Sequence, residues 1–249
     1  MTSGFKRGVF IAFMLLVAGF LAAQDQVEEM GLFQQMFSGQ GAYFMYAILF
    51  LGVVVLVLAI VKLGKLAVKE KFDAQRFYLK LKGYIKNEQY DEAVKVCSNF
   101  KNKTLGFIFW NGLIAFNDAR KAGKSGKELS ATLQNAFDEA GLQQIPRITS
   151  GLYWFDLFAQ VATLLGLLGT IFGLILAFQA LANAPEAEKA SRLTNGISVA
   201  MGTTGFGLIV AIPTLLIKGY LQGRAEQIVN DIDEYSVKTI NQIHYTIKD

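Results

Sequence analysis

Small and hydroxyl-bearing residues recur at helical spacing inside two apolar stretches, and they are the residues of this chain best suited to chemistry. Positions three, four and seven apart share one face of a helix. In the first stretch, ATLLGLLGTIFGLILAF (162–178), that face carries Thr163, Gly166, Thr170, Gly173 and Ala177, and Gly169 adds a GxxxG pair with Gly173. In the second stretch the same spacing aligns Ala200, Thr204, Gly207 and Ala211, with Ser198 and Thr203 nearby.

Three interpretations of these faces stay open. Small residues allow close helix–helix packing in a membrane, and a threonine can bond to a carbonyl of its own helix. A polar stripe between large apolar faces can also line a narrow, wettable path for ions. Neither stretch contains a titratable group, so a proton path here needs a carboxylate from a partner. Asp156 lies seven and fourteen residues before Thr163 and Thr170, on their face, and is a candidate pathway residue.

The elements that position these residues are membrane-spanning helices. The chain has 249 residues, of which 53% are hydrophobic and only 18% are charged, whereas about a quarter are charged in an ordinary soluble domain. A span needs roughly 20 mainly apolar residues, and three such segments fit at 43–61, 151–181 and 196–217. Strand signals are nearly absent. The predicted fold is therefore all-α, a polytopic membrane protein whose three long helices extend into a helical domain.

The basic residues predict the topology. Residues 62–147 contain 16 Lys and Arg against 9 Asp and Glu, and no Lys or Arg lies between Arg7 and Lys62. The positive-inside rule places a helical domain at 62–150 and a C-terminal helix at 218–249 in the cytoplasm, with a periplasmic loop at 182–195. The predicted location is the bacterial inner membrane, with the C-terminus in the cytoplasm and the processed N-terminus in the periplasm.

The N-terminal residues have the pattern of a secretory signal peptide. Lys6 and Arg7 precede an apolar run at 8–23 that ends in small residues. We expect cleavage after Ala23, with an uncleaved extra helix as the alternative. Residues 24–42 then form an amphipathic segment on the periplasmic side.

Several classes of function find little support in the sequence. One cysteine (Cys97) and one histidine (His244) supply neither a disulfide nor the usual ligands of zinc or haem. No nucleophile–base pair or phosphate-binding loop is visible, so we expect neither an enzyme nor a cofactor. The basic residues follow membrane topology, so nucleic acid is not an expected partner.

Two motifs resemble the signatures of one family. LLGLLGTIFGLILAF (164–178) is similar to the second-span signature of the MotA/TolQ/ExbB proton-channel family, PLLGLLGTVxGxIxxF. GISVAMGTTGFGLIVAIP (196–213) is similar to its third-span signature, GIxEALxTTAxGLxVAIP. A short loop between these spans and the lack of a fourth span favour the ExbB/TolQ branch.

The resemblance implies partners and a mechanism. Members of this family form a pentamer around the single helices of two ExbD/TolR-like subunits, whose membrane aspartate carries the proton. The family's paired threonines correspond to Thr170 and Thr204, which would face that aspartate. By this resemblance the chain is a subunit of a proton channel that uses the proton motive force to drive a periplasm-spanning protein, either TonB-like for transport or TolA-like for the envelope.

Two positions depart from the family pattern. Thr163 replaces the proline that precedes LLGLLGT, and Val199 replaces a glutamate early in the third span. The extra hydroxyls of Thr163, Thr203 and Ser198 leave room for Na⁺ instead of H⁺. The alternatives are a Na⁺-driven or motility motor of the same family, or a non-conducting scaffold that packs in the membrane and recruits partners.

Overall fold

The computed structural model describes residues 42–70, 73–124, 126–182 and 184–248. The predicted signal peptide and almost all of the amphipathic segment lie outside these residues. The described part of the chain is helical and contains no strand, so the all-α prediction is confirmed. Its elements are α1 (Ala42–Leu63), a π-helical turn (Gly64–Lys69), α2 (Ala74–Lys86), α3 (Tyr90–Ser98), α4 (Thr104–Lys121), α5 (Gly126–Thr149), α6 (Tyr153–Ala182) and α7 (Glu186–Lys248).

Three helical stretches are long and apolar enough to cross a membrane, judged by length and composition: Ala42–Leu66, Gly126–Ala182 and Glu186–Thr246. Each contains one of the predicted spans. Large apolar side chains stay exposed along them, among them Phe50, Leu164 and Phe178. Such surfaces fit hydrocarbon and not water, and the chain is a multi-pass membrane protein.

The described residues 42–58 and Tyr153–Lys218 form one compact unit, which we call the span unit. Its helices approach through small residues, because Ala159, Ala162 and Ala211 form a buried cluster on which Val210 packs. The α1 helix joins at Gly52, where an added Cβ would lie 3.4 Å from the Val210 side chain. Aromatic rings add a second contact, since the ring centroids of Phe44 and Phe172 lie 5.3 Å apart.

Residues Ala59–Leu152 and 219–248 form the second compact unit, the helical unit. Its core is aromatic: the Phe109 ring lies 5.7 Å from Phe77 and 5.1 Å from Phe137, centroid to centroid. Gly112 makes room for this cluster, because a Cβ there would come within 2.2 Å of the Phe137 ring. Here a glycine inside a helix is required by packing.

The N-terminus of α4 is capped by a distant carboxylate. The Thr104 N–H and hydroxyl each donate to Glu70, both at 3.1 Å. Unpaired amides at a helix N-terminus need such an acceptor, and an anion also suits the helix dipole there. Glu70 thereby ties the segment that follows α1 to the start of α4.

The break between α5 and α6 is made by glycine. The α5 helix passes through Pro146 and ends at Thr149, and Gly151 takes a left-handed φ of 78°. The ammonium of Lys62 donates to the Ser150 carbonyl, which satisfies one acceptor left over at this helix end.

The connection between the last two spans is shorter than predicted. The sequence predicts a loop over 182–195, whereas α7 already begins at Glu186. Side-chain pairs explain the difference: Arg192 binds Glu188 one turn earlier at 2.8 Å, and Lys189 pairs with Glu186. Pairs at this spacing stabilise a helix, and the two acids lie in its first turn, where the dipole favours them.

Candidate functional site

The glycines of α6 and α7 bring the two backbones into contact. A Cβ added at Gly166 would lie 3.2 Å from the carbonyl oxygen of Thr203 and from the Cα of Thr204. A Cβ added at Gly207 would lie 2.7 Å from the Ala162 carbonyl oxygen. Because the neighbouring atoms are backbone, they cannot move aside as a side-chain end can. At these two positions the helices approach as closely as membrane helices do at GxxxG faces.

The same interface continues toward the C-terminal end of α6 and the N-terminal end of α7. A Cβ at Gly169 would lie 2.4 Å from the Thr203 side chain, and one at Gly173 would lie 2.6 Å from the Ala200 Cβ. A Cβ at Gly196 would meet Ala177 at 2.5 Å. Residue numbers rise along α6 as they fall along α7, so the helices are antiparallel. Ala200 and Ala211 are both buried.

Thr204 makes a hydrogen bond between the helices. Its hydroxyl donates to the Gly166 carbonyl oxygen at 2.9 Å. In a regular α-helix that carbonyl also receives the N–H of the residue four positions later, which is Thr170. The two threonines that match the family motif therefore meet at one carbonyl group. The Thr170 hydroxyl itself donates to the Leu167 carbonyl at 2.6 Å.

The other two predicted pathway threonines differ in accessibility. Thr163 is exposed and donates to the Ala159 carbonyl at 3.0 Å, so the residue that replaces the family's proline leaves α6 uninterrupted. Thr203 is only 5% exposed and donates to the Val199 carbonyl at 3.3 Å. The structure places Thr203 inside the interface, behind Gly169, whereas Thr163 lies on an accessible face of α6.

Asp156 forms an ion pair that the sequence did not predict. The Lys218 ammonium lies 3.1 Å from its carboxylate, and the two side chains are 25% exposed for Lys218 and 34% for Asp156. Lys218 directly follows the third predicted span, where the positive-inside rule accounts for a basic residue without any specific partner. The available signal was spacing: Asp156 precedes Thr170 by fourteen residues, and Lys218 follows Thr204 by fourteen.

A second residue that sequence reasoning missed is Thr214. It is 2% exposed and donates to the Val210 carbonyl of its own helix at 2.7 Å. Because its hydroxyl is satisfied within α7 and shielded from the surroundings, Thr214 is a packing residue. It offers a natural reference for the more accessible threonines.

Comparison with known proteins gives a family match that covers this helix pair. A model of the MotA/TolQ/ExbB proton channel family matches residues 111–234, about half of the chain. That match includes all of α6, both candidate threonines and the Asp156–Lys218 pair.

Several curated relatives carry ExbB names. The biopolymer transport protein exbB1 of Vibrio cholerae is 38% identical over 81 residues, which are 31% of this chain and 36% of that protein. The putative biopolymer transport protein ExbB homolog of Methanothermobacter thermautotrophicus is 32% identical over 114 residues, 45% of this chain and 39% of that protein. Biopolymer transport protein ExbB of Aquifex aeolicus is 30% identical over 92 residues, 37% of this chain and 60% of that protein.

The alignments span between about a third and three fifths of these relatives. They agree with the family match and with the two span motifs. On this combined evidence, the chain belongs to the MotA/TolQ/ExbB proton channel family.

Proposed function

We propose that this chain is the ExbB/TolQ-like subunit of a proton channel in the bacterial inner membrane. It uses the proton motive force, together with an ExbD/TolR-like single-span partner, to energise a periplasm-spanning protein. The names of its relatives support biopolymer transport as the process served. The positive-inside distribution supports a cytoplasmic location for residues 62–150 and for the C-terminal helix.

The hydroxyls of Thr204 and Thr170 at successive carbonyls of α6 carry this proposal: Thr204 donates to Gly166 and Thr170 donates to Leu167. They place two hydroxyl groups close together in a mainly apolar helix pair, and residues 157–182 and 196–217 hold no titratable group. A proton crossing at this level needs a carboxylate from outside the chain. A membrane aspartate of an ExbD/TolR-like subunit supplies one, and a homopentamer of this chain would surround it.

The decisive experiment measures partner-dependent proton flux. The chain is co-purified with an ExbD/TolR-like single-span partner and reconstituted in vesicles that contain a pH-sensitive dye. Thr170→Val and Thr204→Val keep the side-chain shape and remove the hydroxyl. We expect each to lower the flux on the order of tenfold, which corresponds to about 1.4 kcal/mol.

Thr214→Val is the matched control, because it makes the same chemical change in α7 at a buried position. We expect it to leave the flux near that of the unmodified protein. Full flux in both Thr170→Val and Thr204→Val would refute the pathway role of these threonines.

One observation favours a second candidate, a non-conducting scaffold. The Thr204 hydroxyl already bonds to Gly166, so its role could be confined to holding α6 against α7. A scaffold would bind its partner normally and carry no ions, with or without the two hydroxyls.

The identity of the transported ion is tested in the same vesicles by replacing Na⁺ with K⁺. Transport by a proton channel persists after the replacement, whereas transport by a Na⁺-driven motor stops.

A further inference from the structure

The polar side chains in the middle of α6 lie along one edge of the helix, which we call the polar edge. Between residues 157 and 178, these side chains are Gln160, Thr163 and Thr170. At 3.6 residues per turn, they fall within an arc of about 80°. The other exposed side chains over the same length are large and apolar, among them Leu164, Leu168 and Ile175. Polar residues gathered on one side of a membrane helix indicate that this side does not face lipid.

The polar edge lies beside the contact between α6 and α7 and not inside it. At that contact α6 presents small residues such as Ala162 and Gly166, which meet the backbone of α7 and are buried. Gln160 and Thr163 are exposed, and Thr170 is half-buried. A path along the polar edge therefore does not require the two closely packed helices to separate.

Gln160 has hydrogen-bonding groups that are not in use. Its amide makes no hydrogen bond to any residue that the structure describes, whereas the hydroxyls of Thr163 and Thr170 donate to carbonyls of their own helix. A primary amide has two N–H donors and an acceptor oxygen. Because an unpaired amide is costly in hydrocarbon, Gln160 needs a polar neighbour, and water can pair with both kinds of atom.

The polar edge leads from the level of Thr170 toward one end of the span. Thr163 lies about 10 Å from Thr170 along the helix axis, and Gln160 lies about 4.5 Å beyond Thr163. About three water molecules at hydrogen-bond distance fill the longer gap. The Asp156–Lys218 pair, joined at 3.1 Å, follows about one turn after Gln160. It marks the polar surface at the end where the positive-inside rule puts the cytoplasm.

We propose that the polar edge holds a hydrogen-bonded chain of water molecules through which a proton leaves the level of Thr170 for the cytoplasm, and that Gln160 and Thr163 position this water. The inference rests on the proposed function and adds to it a route on the cytoplasmic side. The protonated carboxyl group of the partner gives its proton to the first water, each water passes one proton on, and the last water releases one to the cytoplasm. The partner keeps an ionised carboxylate, and no group of this chain changes its charge.

Thr163 is an addition of this chain to that route. It stands where the family signature has proline, and the side chain of proline has no atom that hydrogen-bonds to water. The hydroxyl of Thr163 lies between the motif threonine and Gln160, so it shortens the distance over which water must be held without a polar side chain.

The first test measures whether the polar edge is wet in the complex with an ExbD/TolR-like partner. Gln160→Cys and Thr163→Cys are treated in inside-out membrane vesicles with a charged, membrane-impermeant methanethiosulfonate. A thiol reacts as the thiolate, which forms in water and not in lipid, so we expect both to react on the order of tenfold faster than Leu168→Cys. Leu168 is the matched control, because it is 43% exposed and lies two residues before Thr170, on the opposite side of α6. The native Cys97 is fully buried in the helical unit and adds little background.

The second test measures partner-dependent proton flux in the vesicles used for the threonine variants. Gln160→Leu keeps a side chain of similar size and removes the amide, so it should lower the flux on the order of tenfold, because the neighbouring water loses its polar partners. Gln160→Asn keeps an amide and should stay near the unmodified protein. Gln179→Leu is the matched control, because Gln179 is exposed and lies nine residues after Thr170, on the other side of α6.

The outcomes separate this inference from the proposed function. If Gln160→Cys and Thr163→Cys react no faster than Leu168→Cys, the polar edge is covered and not wet, and the inference is wrong. Full flux in Gln160→Leu also overturns it. In both cases the proposed function stands as long as Thr170→Val and Thr204→Val lower the flux. If the unmodified complex carries no proton flux, the proposed function fails, and the route fails with it.

Discussion

The Thr204 hydroxyl of α7 and the Gly166 carbonyl of α6 are joined by a hydrogen bond of 2.9 Å. The threonine that corresponds to the family's third-span threonine thus also holds two antiparallel helices together. An experiment on Thr204 therefore has to separate the loss of a hydroxyl in the proposed ion path from the loss of helix packing. Variants at Thr204 and at the neighbouring interface glycines make this separation possible.

Removal of the Thr204 hydroxyl is expected to cost little stability. Thr204→Val breaks the bond to Gly166 and should lower the free energy of unfolding by about 0.5–1.5 kcal/mol, as for a typical intramolecular hydrogen bond. Thr204→Ser keeps the hydroxyl and should lie closer to the unmodified protein. Thermal unfolding in detergent measures both. A Thr204→Val protein as stable as its parent would mean that this bond adds nothing to the packing.

The substitution Gly207→Ala is expected to disrupt the α6–α7 interface. Its new Cβ would lie 2.7 Å from the Ala162 carbonyl oxygen, and such overpacking costs about 1–3 kcal/mol. Gly205→Ala is the matched control two residues away, because nothing lies within 4 Å of a Cβ there. We expect Gly205→Ala to be neutral or to stabilise the helix by up to about 1 kcal/mol. Equal melting temperatures for the two variants would contradict the close approach.

Cys97 is expected to be unreactive in the folded protein. Burial raises the pKa of its thiol to about 12, and its side chain is fully buried in the helical unit. Since the thiolate is the reactive form, maleimide at pH 8 should label the protein only after denaturation. A cysteine introduced at Leu142, which is 78% exposed, should react at once. Labelling of native Cys97 at a similar rate would show that this core opens.

Asp231 is expected to destabilise the folded protein at neutral pH. Burial raises the pKa of its carboxyl above the usual 3.8; Glu234 and Asp73 add to the effect and Arg224 opposes it. The folded state therefore binds this proton more readily than the unfolded state does, so the contribution of Asp231 to stability falls as the pH rises from 3.8 through the raised pKa.

Asp231→Asn removes this cost and should raise the melting temperature at pH 7, with the gain shrinking as the pH is lowered toward 3.8. Asp233→Asn makes the same chemical change at an exposed position two residues later. It is the matched control and should leave the melting temperature at pH 7 near that of the unmodified protein. A gain for Asp231→Asn that grows on acidification would contradict the direction of the pKa shift.

The sequence predicts the helices better than their pairing. Hydropathy alone indicates the three spans, because each must cross hydrocarbon unaided, and the spacing of Gly166, Gly169 and Gly173 indicates a close contact. The partner atoms depend on the register between α6 and α7, which spacing within one helix does not fix. For that reason the sequence does not show the Thr204–Gly166 bond, and the matched spacing of Asp156 and Lys218 indicates their pairing only once that register is known.

Two further features depend on three-dimensional context. Thr163 and Thr203 look alike in the sequence, yet one is exposed and the other buried, because the helices meet along one edge of the predicted face. Glu70 caps a helix that begins 34 residues later, a partnership that no local motif reveals. By contrast, the start of α7 at Glu186 could have been predicted from the sequence, because the ion pairs of its first turns have regular helical spacing.

The hydroxyls of Thr163, Thr170 and Thr204, the three predicted pathway threonines that are not buried, all donate their hydrogen to a backbone carbonyl. A hydroxyl has one hydrogen and two lone pairs, so each of these oxygens can still accept a hydrogen bond but has no hydrogen left to donate. In the proposed channel, an ionised carboxylate of the partner would therefore meet only acceptors at these positions, whereas a protonated carboxyl group would donate a hydrogen bond to them.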